Sequence, residues 1–191
     1  MVKNINTIKD ELIEKGRLSP QSIQDLKWHL QNDLRPHMAI ILATDAHLKE
    51  LGPLIATKLD DEDDFIREVA VGCLIGRLFL TEYAPKALEL AKEDPYENVR
   101  GLAISNLGAV IDAVDKELKK EISSYIYEII SNSLYNDFLK ECAYHSIVVA
   151  MEVPVDKWPK VKKDGDIHKL MDKEILEAFK KKYSIEKQSN K

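Results

Sequence analysis

Five consecutive acidic residues, Asp60-Asp61-Glu62-Asp63-Asp64, form the densest cluster of potential ligands in this chain. Several carboxylate oxygens together can hold a hard cation such as Ca²⁺. An EF-hand loop also needs alternating ligands, a central Gly and a Glu at its twelfth position, and this stretch lacks that Gly. A solvated turn that caps the following helix is the simpler reading. The histidines His29, His37, His47, His145 and His168 are scattered, without the i, i+4 pair and the glutamate of a zinc hydrolase helix. Cys73 and Cys142 sit inside apolar helical patterns with no CxxC or Cys/His spacing, so they read as two buried free thiols. No Ser or Cys has a recognisable base and orienting partner for a hydrolytic triad. No catalytic residue, metal or cofactor is expected.

The totals bound the remaining choices. A chain of 191 residues with 45% hydrophobic content is long and apolar enough for one folded domain. A net charge of −5 argues against a general nucleic-acid binder, whose affinity comes from Lys and Arg on phosphates. Charge is uneven, because the segment from Asp156 to Lys191 carries eleven Lys against seven acidic residues. A nucleic-acid partner would have to use that Lys-rich end, including Lys157 to Lys163 and Lys180 to Lys182, which otherwise reads as solvated surface. The start, MVKNINTIKDELIEK, is polar where a secretory signal needs an apolar stretch, and no run approaches a membrane span. A cytoplasmic location without membrane contact is the expectation.

The elements that must position these residues are legible from a phrase that returns four times: Leu34-Arg35, Ile66-Arg67, Val99-Arg100 and Leu139-Lys140. Apolar residues follow at offsets four and eight: Met38 and Leu42, Ala70 and Leu74, Ala103 and Leu107, Ala143 and Ile147. On a 3.6-residue helix such positions lie about 40° apart and form one buried stripe. Starts separated by 32, 33 and 40 residues fall in the period of stacked helix pairs. Pro36, Pro53 and Pro85 open helices, where the missing N–H costs nothing. Small residues at Ala70, Ala103, Ala143, Gly76 and Gly108 would let neighbouring helices approach closely. Thr7 with Asp10 imitates a capping box for a leading helix ending at Gly16, and Ser19-Pro20 caps the next. The chain then divides into a leading helix (1–18), four helix pairs (19–151), a connector with a C-terminal capping helix (152–185) and a flexible tail (186–191). That final helix carries Ile167, Leu170, Met171, Ile175, Ala178 and Phe179 on one face.

Two of these units, Leu51 to Gly76 and Ala84 to Gly108, resemble HEAT repeats. The residues that carry the likeness are an acidic or Asp-Pro turn, Ile-Arg or Val-Arg, then Ala and Leu at the spacings above, with a Gly close behind. The outer copies depart from the pattern, the first lacking Leu-Gly and the last replacing Arg by Lys140. The resemblance implies an all-α fold, a short right-handed alpha-alpha superhelix of about four pairs whose second helices line a concave side. It also implies a structural ladder between units made by Arg35, Arg67 and Arg100 with Asp63 and Asp94.

Function must then lie at positions the repeat leaves free. Offset six, held by Ile40, Gly72, Ser105 and His145, is expected to face the concave surface, with Tyr144 and Arg77 beside it as binding residues. The leading expectation is a non-enzymatic protein-interaction module, a scaffold or an immunity or regulatory protein that masks a basic partner. The alternative is a nucleic-acid binder or repair enzyme similar to helical-repeat DNA glycosylases. A small-molecule lyase similar to the HEAT-containing bilin lyases comes third.

Overall fold

The computed structural model describes residues 2–158 and 171–185. Lys160, Lys162, Lys163, His168, the expected first turn of the last helix and the tail lie outside the described residues. All regular structure among the described residues is helical. They gather into two compact units, Met1–Tyr83 and Ala84–Lys191.

In the first unit, α1 (Ile5–Lys15) starts at Asn4, whose side chain accepts from the Asn6 N–H, and stops at Gly16 in the left-handed conformation with φ 64°. The cap is therefore Asn4 rather than Thr7, one turn earlier, because Ile5 as well as Ile8 is buried. Helix α2 (Pro20–Gln31) begins as its chemistry dictates, with the Ser19 hydroxyl accepting from the Ser22 N–H and Pro20 at the first position. Helix α3 (Pro36–Asp45) follows a four-residue link, then a short α4 (Gly52–Ala56) flanked by 3-10 turns, then α5 (Asp64–Val71). Helix α5 does not continue as an α-helix through Gly76, because the chain winds into a π-helical segment over Gly72–Arg77. Start meets start and end meets end along α3 and α5: the rings of His37 and Phe65 lie 5.7 Å apart and Arg77 pairs with Asp45 at 2.5 Å. The two helices are thus neighbours running the same way, while α2 packs on α3 and on α4.

In the second unit, α6 (Ala84–Glu93) and α7 (Glu97–Leu107) form one hairpin, and α8 (Lys116–Ser131) and α9 (Asp137–Ala150) form another. The Tyr125 hydroxyl on α8 donates to the Ala91 carbonyl on α6 at 2.7 Å, and Lys92 pairs with Glu121 at 2.6 Å. Gly101 on α7 and Gly108 at its C-cap face Phe138, Cys142 and Ser146 on α9 in ascending order, so the second helices are also parallel neighbours. A Cβ at Gly108 would lie 2.1 Å from the Ser146 carbonyl oxygen, which is why a glycine stands there. The 40-residue interval between the last two phrases reflects turns over 108–114 and the 16 residues of α8.

Three of the four apolar stripes are buried as the spacing requires: Ala70, Leu74, Val99, Ala103, Leu107, Ala143 and Ile147 are all at 0% exposure. Each buried Leu or Ile contributes about 1.5–3 kcal/mol relative to an exposed one. The first phrase departs, with Leu34 49% exposed in the loop before α3. Ile13 is also exposed, so the buried face of α1 is narrower than its apolar residues suggest.

A last helix, α10 (Lys173–Lys182), covers α9. Its Lys182 ammonium donates to Asp112 at 2.7 Å and to the Ala150 carbonyl at 2.9 Å, and Tyr183 reaches Asp112 at 3.1 Å. Burial pushes the Asp112 carboxyl up, but Lys182, Lys119 and the Tyr183 hydroxyl outweigh it and hold the carboxyl below its ordinary value. Beneath α10, Met171 joins Tyr144 and Val148 in a small core.

Candidate functional site

The residues expected to bind do not form one site. Tyr144 is 2% exposed, and its hydroxyl accepts the Asp172 N–H at 2.9 Å. It is a core residue under α10, a correction that follows from the bulk of the ring: next to Val148 and Met171 it buries more apolar area than a surface position could. Ser105 is half-buried on the seam between α7 and α9, beside Cys142. His145 is exposed, its ring edge-on to Trp158 at 5.0 Å. Arg77 belongs to the first unit, where its guanidinium is engaged by Asp45. Offset six itself is no uniform surface, since Ile40 is fully buried.

The arginines of the phrase have a definite local task in two copies. The Arg67 guanidinium donates to the Asp61 carbonyl at 2.7 Å and the Glu62 carbonyl at 3.2 Å. Arg100 repeats this at the same offsets, donating to the Asp94 carbonyl at 2.8 Å and the Pro95 carbonyl at 3.3 Å. Each guanidinium thereby ties the turn before its helix to the helix itself. The carboxylates cap the same turns: Asp63 accepts from the Phe65 N–H and Asp94 from the Tyr96 N–H, both at 2.9 Å. Arg35 is the exception and corrects the expectation of equivalence. It is exposed, sits at φ 54° as the N-cap of α3, and its side chain meets no hydrogen-bond or ion-pair partner among the described residues.

Within each unit these tied turns present carboxylates and aromatic rings. In the first unit the loops Asp33–His37 and Asp60–Ile66 enclose an open cleft of about 590 Å³, lined by Asp33, Asp60, Asp61, Glu62, Asp63 and His37, with Arg35 and Ile66. Phe65, 50% exposed, stands beside it against His37. Asp33 pairs with Lys58, whose stem is buried below. In the second unit the Asn136 side chain donates to the Glu97 carboxylate at 2.6 Å and joins the turn before α7 to the turn before α9. Tyr96, Leu134 and Phe138 are exposed there at 50%, 88% and 40%. Sequence reading missed these turns because it followed the concave offsets. The signal was present in Phe65 and Phe138, each one position before the phrase and each following an acidic residue.

The two thiols and the buried tyrosine hydroxyls are held toward their protonated forms. Burial pushes the Cys73 thiol up, against smaller opposing effects of Thr44 and Arg77, and does the same to Cys142 against a hydrogen bond from Ser105. A protonated thiol is a poor nucleophile. Burial likewise raises Tyr125 and Tyr144. Among the described residues no three His, Cys, Asp or Glu side chains are grouped so as to hold a metal ion, and no helix is long and apolar enough to cross a membrane.

No family model, curated protein or solved structure matches this chain.

Proposed function

We propose that the chain is a HEAT-like, non-enzymatic protein-interaction module whose acidic, aromatic-bearing turns receive a basic segment of another protein, masking or tethering it. The observation that carries this reading is the cleft of the first unit, where five acidic side chains outnumber Arg35 and His37 around one opening with Phe65 at its side. A Lys or Arg entering there would exchange water for carboxylate oxygens and lie over an aromatic face, two contacts that favour the same cation. The acidic balance of the chain, with a pI near 5.6, would also speed encounter with a basic partner.

The HEAT-like architecture is supported by paired hairpins with parallel second helices inside each unit and by the matched bonds of Arg67 and Arg100. Those bonds count against the nucleic-acid reading, because guanidiniums committed to loop carbonyls are poor phosphate ligands. A lyase reading has no observation in its favour.

The test is a fluorescence anisotropy titration with three labelled probes: an arginine-rich amphipathic peptide, the same peptide with Glu for Arg, and a DNA duplex. The basic peptide should bind, and Glu62→Lys combined with Phe65→Ala should weaken it at least tenfold while circular dichroism shows the helices intact. Binding of the duplex that is lost in Arg67→Ala and Arg100→Ala would replace this proposal with the nucleic-acid one. Indifference to the sign of the peptide charge would refute it.

A further inference from the structure

A second groove, chemically opposite to the acidic cleft, lies at the other side of the α2–α3 loop. Its volume is about 430 Å³. One wall is the non-helical segment before α1 with Val2, and the other is Leu34 and Arg35. Trp28, from the last turn of α2, also lines the opening. Val2, Trp28 and Leu34 are exposed at 38%, 39% and 49% and share this one small concavity.

The groove is built rather than accidental. The buried His29 ring lies between the two walls, one nitrogen 2.9 Å from the Lys3 carbonyl oxygen and the other 3.3 Å from the Leu34 carbonyl oxygen; its neutral form donates to one of the two. The loop that forms the second wall is strained: Asp33 and Arg35, on either side of Leu34, both have left-handed backbones, φ 52° and 54°. That backbone turns Leu34 out of the core stripe that its counterparts Ile66, Val99 and Leu139 occupy. Strain of this kind persists only where the surroundings hold it, and here the Leu34 N–H donates back to the His29 backbone carbonyl at 3.2 Å.

Charge names the occupant. The Lys3 ammonium is consumed by Glu11 at 2.9 Å and Ser22 at 2.8 Å, so it is not available to a ligand. The Arg35 guanidinium has no partner among the described residues, which leaves a single free cation at the edge of an apolar slot.

From this arrangement we infer that the Val2–Trp28–Leu34 groove is a docking site for an extended peptide segment that places an apolar side chain between Trp28 and Leu34 and a carboxylate on Arg35. The chain would then hold two partners of opposite character, a basic one at the acidic cleft and an apolar-acidic one here. Arg35 lines both openings and so lies where one occupant could influence the other.

The experiment is selection of randomised twelve-residue peptides on phage against the full chain, followed by titration of the synthesised winners. Trp28 fluorescence reports binding in a Trp158→Phe background. Winners should carry an apolar residue within three positions of Asp or Glu and perturb Trp28. Their affinity should fall at least tenfold on Arg35→Glu and on Leu34→Asp, with helix content unchanged by circular dichroism. Absence of enrichment, winners rich in Lys or Arg, or winners that bind Arg35→Glu as well as the parent would each overturn the inference. Concentration-dependent dimerisation abolished by Leu34→Asp would also overturn it, by assigning the groove to a second copy of the chain.

Discussion

Glu11 shows how a single residue can make the first unit sensitive to pH. Its carboxylate accepts from the Ser22 hydroxyl, from the Lys3 ammonium and from the Ser19 N–H at 3.0 Å, so that α1, α2 and the segment before them meet at one group. The Ser22 bond, followed by the Lys3 bond, lowers its pKa from 4.5 to about 2, against the opposing push of burial. A folded-state value below the unfolded one adds stability that is fully present above pH 4.5 and lost as pH falls toward 2. Melting temperature followed by circular dichroism should therefore drop across that window in the parent protein. Glu11→Gln should melt lower at neutral pH and lose most of the acid-dependent part of the decline. Equal pH profiles for the two proteins would show that the clasp is not linked to folding.

At the scale of elements, α7 and α9 approach closely along one seam, and Gly108 sets its end. Gly108→Ala would drive a methyl group into the Ser146 backbone, which cannot yield as a flexible side chain could. The expected cost is about 1–3 kcal/mol, read as a lower denaturation midpoint without a change in helix content. An unchanged midpoint would mean that the seam opens freely. This seam also marks what was and was not legible in the sequence. Ser19-Pro20 and Gly16 were, because such caps act within one turn of chain, whereas the start of α1 fell at Asn4 rather than Thr7. The stripes were, because Val99, Ala103 and Leu107 bury together whatever they pack against. Three other features depend on tertiary neighbours: the π-helical winding over Gly72–Arg77, the outward turn of Leu34 at its strained loop, and the burial of Tyr144 under Met171. No local rule marks them. The candidate site was less legible than the fold for the same reason. Its residues sit on the turns, where Arg67 and Arg100 were readable as structural, while the aromatic rings beside them became meaningful only once their exposure was known.

In the molecule as a whole, the residues that build the units are distinct from those the turns expose. Parallel second helices, with arginines tying down the preceding turns in α5 and α7, build each unit and leave the outer ends of those turns free to vary in charge and in aromatic content. Helical folds serve many unrelated tasks, so the acidic turns rather than the helices must be tested. Amide hydrogen exchange of the full chain with and without a saturating arginine-rich peptide tests them most directly. The account predicts slowed exchange over 33–37 and 60–66, with little change in α10. Protection confined to 171–185, or none anywhere despite measured binding, would contradict it.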